Sequence, residues 1–277
     1  MSDRLRPLFR WIGGKARLVH TIAPIIRCQL EHGGCYFEPF LGAGSVFCAV
    51  SPGKAVLGDA NRHLMETYQC IRQAPREVER EVRLLESWNT PARYYGARTE
   101  FNNSGVGARR AALFIFLNRT CFNGIWRVNT KGEFNVPFGA RSNPLFPSRE
   151  HIERVAEALE TAELMCADFA STLDGVASGD TVYLDPPYPP LNGTAFFTHY
   201  TKERFGASEQ VRLAKTVHSL NAKGVRLVLS NTDVPLVRDL YRGFTITEFN
   251  SRRFVASHGK RLRVRDLLIT NVDLDGS

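Results

Sequence analysis

Residues 35–59 constrain the fold of this chain more strongly than any other stretch of the sequence. They contain a short, mainly apolar run at 35–38, a turn with two glycines, a segment of helical apolar spacing at 46–50 and a second, mainly apolar run at 54–58. Strand, glycine-rich turn, helix and strand in this order are typical of a parallel α/β sheet. With 277 residues, 43% of them hydrophobic, the chain can bury one large α/β core and a smaller appended unit.

The turn within this stretch suits a nucleoside ligand. Gly42 and Gly44 carry no side chain, so a ligand can approach the backbone closely. Asp59 follows the second apolar run, where its carboxylate can accept both hydroxyls of a ribose. Dinucleotide-binding turns carry a third glycine where this chain has Phe47. The pattern therefore favours a nucleoside with a short zwitterionic tail, and S-adenosylmethionine has that shape.

A second anion-binding feature precedes the first predicted helix. Trp11 is followed by Ile12, two glycines and Lys15, and apolar residues recur at helical spacing over 18–26. Exposed N–H groups at a helix start, together with a lysine, suit a carboxylate or a phosphate. The alternative is an ordinary helix start with Trp11 in the core.

Asp185, Pro186, Pro187 and Tyr188 form the most informative short motif. They follow an apolar run at 181–184, which predicts a strand that ends at Asp185. The two prolines have no N–H, so the turn presents a carboxylate and carbonyl oxygens, all of them hydrogen-bond acceptors. Tyr188 adds a flat face for stacking. Adenine, a planar ring with an amino group, satisfies both features, and an ordinary strand-ending turn is the alternative.

The same acceptors suggest a reaction. The exocyclic nitrogen of adenine is a weak nucleophile, because its lone pair is delocalised into the ring. The Asp185 carboxylate and the Pro186 carbonyl can hold both N–H bonds and direct the lone pair at an electrophile. A sulfonium methyl group is such an electrophile, and positioning then supplies most of the rate.

Further strands are predicted on both sides of this turn. The run 164–166 leads to Asp168 and Phe169, which can hold the adenine of a cofactor, although Asp168 is equally suited to cap a helix. Runs at 226–230, 245–250 and 265–270 complete the sheet, with Asn231 at a carboxyl edge and a basic loop between the last two runs. Residues 192–194 are predicted to form a mobile loop over the site.

The middle of the chain departs from this α/β pattern. Residues 64–118 are helical and charged and end in an apolar helix at 111–117, so we interpret them as a helical insertion. Residues 118–139 alternate aromatic and polar side chains around Asn-Gly and Lys-Gly turns, which indicates a β-hairpin with Arg119, Arg127 and Lys131. Such a ribbon can enter a DNA groove, and a solvated charged hairpin is the alternative.

Net charge favours a polyanionic partner. The formal charge is +8 and the pI is near 9.4, which ranks nucleic acid ahead of a membrane surface. Six cysteines show no metal-binding spacing, so we predict no metal and a cytosolic protein with reduced, mostly buried thiols. No apolar run approaches the length of a membrane span, so neither membrane insertion nor export is expected.

Together these motifs resemble the DNA adenine-N6 methyltransferases of the Dam family over nearly the whole chain. The segments that carry the resemblance are 11–15, 37–47, Asp59, 132–139 and 185–188. It implies a Rossmann-like, S-adenosylmethionine-dependent methyltransferase sheet of about seven strands, formed by 1–63 and 145–277, with an inserted helical and β-hairpin DNA-recognition domain at 64–144. It also implies a cytoplasmic, bacterial or phage-encoded enzyme that acts on double-stranded DNA as a monomer or weak dimer.

The resemblance also assigns roles to individual residues. Asp185 to Tyr188 would hold an adenine swung out of the duplex. The full set of candidate cofactor-binding residues is Trp11, Lys15, Phe37, Glu38, Gly42, Gly44, Asp59, Asp168, Phe169 and Asp185. The candidate DNA-binding residues are Arg10, Arg119, Asn123, Ile125, Arg127, Pro137 and Arg141.

The expected target is GATC. Family members that methylate this site use a basic residue before the tryptophan, an arginine after the Asn-Gly turn, and a proline with an aliphatic neighbour. The matching residues here are Arg10, Arg127, Pro137 and Ile125. Two positions depart from the family pattern, since Phe122 replaces a tyrosine and the basic residue after Gly139 is displaced by Ala140 to Arg141.

Two other functions fit the same residues. One is a methyltransferase for another planar amine or amide, such as an RNA adenine or a protein glutamine, and the inserted basic hairpin argues against it. The other is a DNA-binding module without catalysis, and the intact Lys15, Asp59, Asp185 and Tyr188 argue against that. Roles in restriction, phage protection and host regulation are all compatible with the sequence.

Overall fold

The computed structural model describes residues 5–11, 18–189, 205–254 and 261–272, with the backbone alone at 250–254 and 261–264. Its helices are α1 Val19–Glu31, α2 Ser45–Val50, α3 Arg62–Gln73, α4 Pro75–Leu85, α5 Pro91–Asn103, α6 Ala108–Thr120, α7 Arg149–Leu159, α8 Phe169–Thr172, α9 Ala207–Ala222 and α10 Pro235–Leu240. Its strands are β1 Tyr36–Glu38, β2 Ala55–Gly58, β3 Ala162–Met165, β4 Thr181–Leu184, β5 Arg226–Thr232, β6 Thr245–Phe254 and β7 Arg261–Thr270.

The strands form a seven-stranded mixed sheet in the order β3-β2-β1-β4-β5-β7-β6. Three pairs are parallel, β2 with β3, β1 with β4, and β4 with β5. The last strand, β7, runs antiparallel to both β5 and β6. The prediction of an α/β fold around a sheet of this size is therefore confirmed.

Internal contacts divide the chain into two compact units. The first comprises Met1–Ala23 and Leu41–Asp168, and the second comprises Pro24–Phe40 and Phe169–Ser277. The first unit has α6 at its centre, because residues 111–117 are apolar on every side of the helix and are at most 2% exposed. In the second unit, every residue of β4 is buried, as is typical of a strand with parallel neighbours and both faces covered.

The segment predicted as a β-hairpin folds back on itself without forming a continuous ladder. Two isolated antiparallel bridges join Cys121 to Phe138 and Val128 to Phe134. Regular pairing is interrupted for two reasons. Pro137 has no N–H to donate, and the side-chain amide of Asn102 forms hydrogen bonds with both the N–H and the carbonyl of Phe134, at 2.8 and 3.1 Å.

Two further expectations need correction. The basic residues predicted as a loop between the last two strands lie largely within β6 and β7, where Arg252 pairs with Arg263. Asn231 lies one residue inside the end of β5 and is fully buried, so it is not open to a ligand. Residues 192–194, predicted as a mobile loop, fall outside the described residues.

Candidate active site

The glycine-rich turn that precedes α2 has a backbone conformation that favours glycine. Gly42 and Gly44 have φ angles of 49° and 66°, in the left-handed region. The Tyr68 hydroxyl donates to the Gly42 carbonyl at 3.1 Å and would lie 3.1 Å from a Cβ placed at Gly44. Tyr68 was not a candidate from the sequence, yet it leaves no room for a side chain at this turn.

Asp59 fastens this turn to the end of β2. Its Oδ2 accepts the N–H of Gly42 at 2.9 Å and its Oδ1 accepts the N–H of Asn61 at 2.8 Å. Burial raises the pKa of Asp59, and the two backbone N–H groups oppose that effect. Each carboxylate oxygen can still accept a second hydrogen bond, so the ribose-binding role proposed for Asp59 is compatible with the structure.

Trp11 packs against the same turn. Its indole Cδ1 would be 3.0 Å from a Cβ placed at Gly42, so a side chain at this position would displace the tryptophan ring. Trp11 is partly exposed and is not a core residue, which was the alternative. Lys15 lies outside the described residues, so its predicted role stays a prediction.

Asn118 of α6 fixes the backbone next to Trp11. Its side-chain Oδ1 accepts the N–H of Arg10 at 2.8 Å, and its Nδ2 donates to the Arg10 carbonyl at 2.7 Å. Asn118 is fully buried, so this amide satisfies both backbone groups much as a neighbouring strand would. The sequence carries one signal of this role, a single polar residue at the end of the apolar run 111–117.

The acceptor turn, residues 185–188, follows β4. Asp185 and Tyr188 are partly exposed, Pro186 is buried and Pro187 is exposed. Asp185 Oδ1 accepts a hydrogen bond from the Ser230 hydroxyl at 2.8 Å, and that hydroxyl is 3.0 Å from the Tyr183 hydroxyl. The Ser230 side chain of β5 therefore holds the carboxylate, and the Tyr183 side chain of β4 in turn contacts Ser230.

The remaining cofactor candidates of the second unit are mostly buried. Phe37 and Glu38 are 4% and 2% exposed, and Glu38 accepts a hydrogen bond from the Tyr36 hydroxyl at 2.8 Å. The ring of Phe169 stacks on Phe40, with centroids 5.6 Å apart, and the Arg212 guanidinium lies 4.0 Å from its centroid. Phe169 thus packs against Phe40 and Arg212, and Phe37 is a buried residue of β1.

Asp168 is the last residue of the first unit. Its side chain is exposed, and the residue immediately precedes α8. This position suits the helix-cap alternative, and exposure also leaves the carboxylate accessible to a ligand.

The recognition segment, residues 118–141, exposes most of its candidate DNA-binding residues. Asn123, Arg127, Pro137 and Arg141 are exposed, and Ile125 is partly buried. The Arg127 guanidinium donates to Asn135 Oδ1 at 2.8 Å, which orients it on the surface. Phe122, the residue that departs from the family tyrosine, is 50% exposed.

Three arginines of the first unit lie close enough to repel one another. Burial lowers the pKa of Arg119 to about 10, with further lowering from Arg10 and Arg141. The pKa of Arg10 is likewise lowered, by burial and then by Arg141. Among the described residues, the Arg119 guanidinium donates a hydrogen bond to the Leu8 carbonyl, and its Nε is buried without a hydrogen-bond partner. The cluster therefore favours an anionic partner.

Gly139 provides a test of how the recognition segment is packed. A Cβ at this position would lie 2.4 Å from the Cys121 carbonyl oxygen, and the Gly139 N–H bonds to Thr120 at 2.9 Å. We expect Gly139→Ala to lower the free energy of unfolding by about 1–3 kcal/mol, measured by denaturant and thermal unfolding. Gly53→Ala is the matched control, because no atom lies within 4 Å of its added Cβ. Equal stability of both variants would contradict this packing.

Within the described residues, no helix is both long and apolar enough to cross a bilayer. The same residues contain no group of three or more His, Cys, Asp or Glu side chains that could hold a metal ion. The six cysteines are free thiols, four of them buried, with Cys28 partly exposed and Cys166 exposed.

Comparison with known proteins identifies the family. The model of the D12 class N6 adenine-specific DNA methyltransferases matches residues 11–254. The DNA adenine methylase of Serratia marcescens is 38% identical, over 95% of this chain and 97% of the relative. The type II methyltransferase M.MjaIII of Methanocaldococcus jannaschii is 35% identical, over 96% and 99%, and the DNA adenine methylase of Escherichia coli is 36% identical, over 95% and 94%.

The chain belongs to the D12 class of N6 adenine-specific DNA methyltransferases. It is an enzyme that methylates adenine in DNA, and its family implies a bound methyl donor. The resemblance inferred from the sequence motifs is therefore confirmed.

Proposed function

We propose that this enzyme transfers the methyl group of S-adenosylmethionine to adenine N6 in double-stranded DNA, within GATC, after the adenine has left the base stack. The geometry of the acceptor turn, residues 185–188, is the observation that supports this proposal. The partly exposed Asp185 carboxylate stands at the end of a fully buried strand, with one oxygen held by Ser230. Fixed acceptors of this kind suit an amino group with two hydrogens.

The residues of the turn would act on the adenine amine directly. Asp185 and the Pro186 carbonyl would accept its two N–H bonds and direct the nitrogen lone pair out of the ring plane. The carboxylate would also stabilise the positive charge that develops on nitrogen as the new bond forms. It is then the group best placed to receive the proton that N6 loses.

The turn at Gly42 and Gly44 would hold the donor. S-adenosylmethionine, when bound, supplies an electrophilic methyl group on a sulfonium sulfur. Its adenosine suits a turn without side chains, flanked by the Trp11 ring, and its ribose suits the remaining lone pairs of Asp59. Lys15 would bind the carboxylate tail. Phe37, Glu38, Asp168 and Phe169 complete the proposed set.

Tyr188 would hold the extruded base by stacking, which predicts a specific order among substitutions. We expect Tyr188→Ala to lower kcat/KM with a duplex oligonucleotide about 10- to 100-fold, because stacking of one base on an aromatic ring contributes about 1–3 kcal/mol. Tyr188→Phe and Tyr188→Trp should stay within a few-fold of the wild type. Methyl transfer kinetics measure this, and a phenylalanine variant as weak as the alanine variant would assign the role to the hydroxyl.

The recognition domain, proposed as residues 64–144, would read the site. Arg10 and Arg127 would contact the guanines, whereas Ile125 and Pro137 would touch a thymine methyl. Arg119, Asn123 and Arg141 would contact the phosphate backbone. Expression in an unmethylated host, followed by genome-wide mapping of N6-methyladenine, tests this assignment. Methylation at another motif would refute GATC while leaving adenine methylation intact.

The choice of nucleic acid can be tested separately. We expect labelled methyl groups to enter duplex DNA in preference to RNA of the same sequence or to protein when all three compete. Preferential labelling of RNA or protein would overturn the duplex-DNA proposal. Sedimentation analysis checks the proposed monomer or weak dimer.

A further inference from the structure

Two consecutive residues of β5 reach opposite ends of the acceptor turn. Ser230 and Asn231 are both fully buried, and successive side chains of a strand point to opposite faces of the sheet. Ser230 contacts Asp185, the first residue of the turn. Asn231 reaches Pro187, the third residue, through Gln210 of α9. All of these residues belong to the second unit.

The first connection is a directed chain of hydroxyls. A carboxylate only accepts hydrogen bonds, so the single hydrogen of Ser230 is donated to Asp185 Oδ1, at 2.8 Å. The Ser230 oxygen must then accept from the Tyr183 hydroxyl, 3.0 Å away. Burial, followed by the nearby Asp185 carboxylate, raises the pKa of Tyr183 well above its ordinary value, so this phenol keeps its proton.

The second connection is a directed chain of amides. The N–H of Thr232 donates to Asn231 Oδ1 at 2.8 Å, and Asn231 Nδ2 donates to Gln210 Oε1 at 3.2 Å. Gln210 Nε2 then donates to the Pro187 carbonyl at 2.8 Å. Gln210 is fully buried, and leaving either end of such an amide without a partner is costly.

We infer that Ser230 and Gln210 are positioning residues for the methyl transfer, which hold the acceptor turn from its two ends. The inference rests on the proposed function of that turn. Ser230 fixes the rotation of the Asp185 carboxylate through Oδ1. Gln210 fixes the peptide group between Pro187 and Tyr188 through the Pro187 carbonyl.

The two ends of the turn have different effects. Loss of the hydrogen bond to Oδ1 removes a group that favours the ionised carboxylate, so it acts on the chemical step. Loss of the amide chain frees the backbone next to Tyr188, so it acts on how the adenine is held. The first change should therefore appear in kcat and its pH profile, and the second mainly in the KM for DNA.

Ser230→Ala tests the first connection. We expect kcat to fall about 10- to 100-fold, the effect of one charge-assisted hydrogen bond, and the acidic limb of the kcat profile to move to higher pH. The KM values for DNA and S-adenosylmethionine should stay within about twofold of the wild type. Ser230→Thr, which keeps a hydroxyl, should restore most of kcat.

Thr181→Val is the matched control on the neighbouring strand β4. Its buried hydroxyl has no hydrogen-bond partner among the described residues, so its removal should leave kcat and the pH profile unchanged. Equal kinetics of Ser230→Ala and Thr181→Val would overturn the role of Ser230. If Ser230→Ala does not fold, Tyr183→Phe replaces it as the test, because it removes only the first O–H of the chain of hydroxyls. An unchanged pH profile of kcat in Tyr183→Phe would also contradict the role of this chain.

Gln210→Met tests the second connection, because methionine has a similar shape and no group that can donate to Pro187. We expect the KM for duplex DNA to rise about tenfold, with the KM for S-adenosylmethionine unchanged and circular dichroism like the wild type. An unchanged KM for DNA would overturn the role of Gln210. A wild-type enzyme inactive on duplex DNA would instead refute the proposed function, so the two failures are distinguishable.

Discussion

We expect Asp185→Ala to lower kcat for methyl transfer to duplex DNA about 100- to 1,000-fold, the effect of deleting one preorganised electrostatic contact to the reacting group. The reason is geometric, since Ser230 holds one carboxylate oxygen and thereby orients the other. Radiolabelled transfer under single-turnover conditions measures the chemical step without product release. Near-full activity would refute the role of Asp185.

Two further variants separate charge from acceptor geometry at this position. Asp185→Asn keeps one acceptor oxygen without the negative charge, so it should retain more activity than the alanine variant. Asp239→Ala removes an exposed carboxylate of α10 that pairs with exposed Arg242, and it should behave like the wild type. Circular dichroism confirms that each variant is folded.

Asp59→Ala should have the second largest effect, on donor binding. Its carboxylate accepts the N–H of Gly42 in the glycine-rich turn and the N–H of Asn61 just before α3, and both lose their partner in the variant. Each such loss costs about 1–3 kcal/mol, so the Kd for S-adenosylmethionine should rise at least about tenfold. Isothermal titration calorimetry of the donor without DNA measures this change.

The matched variants for Asp59 distinguish turn geometry from charge. Asp59→Asn can accept only one of the two N–H groups, so its Kd should lie between those of the wild type and Asp59→Ala. Asp174→Ala removes an exposed carboxylate and should leave the Kd unchanged. Wild-type affinity in Asp59→Ala would show that neither the turn nor the ribose depends on this carboxylate.

The sheet could be predicted because its signals are local. Each apolar run that predicted a strand, such as 54–58 and 182–184, is short and ends at a polar residue or a turn, and each one appears as a strand. Gly42 and Gly44 were predicted to form a turn before a helix, and both have left-handed φ angles. Their neighbours Trp11 and Tyr68 depend on the tertiary fold and had no local signal.

The residues that the sequence did not reveal act over long distances along the chain. Ser230 lies 45 residues from Asp185, Gln210 lies 23 residues from Pro187, and Asn118 lies 108 residues from Arg10. A serine or glutamine in an apolar strand or helix has no periodicity that marks its partner. Only the fold brings these donors and acceptors together.

The recognition segment was predicted in outline and not in detail. Its turns and aromatic residues indicated a chain reversal, which two bridges provide. The regular ladder is absent because the Asn102 side chain, and not a second strand, pairs with the backbone of Phe134. No local sequence pattern identifies this pairing. The genome-wide mapping of N6-methyladenine also tests whether Phe122 alters the target preference.

The most direct test of the acceptor turn is a double-mutant cycle between Asp185 and the adenine amine. One duplex contains adenine at the target position, and the other contains purine, which lacks the amine. Each duplex is titrated with the wild type and with Asp185→Ala. The easier extrusion of purine changes the Kd ratio of both proteins equally, so it cancels when the two ratios are compared. We predict that loss of the amine weakens binding at least about tenfold more in the wild type than in the variant. The same ratio of Kd values in both proteins would contradict a contact between Asp185 and N6.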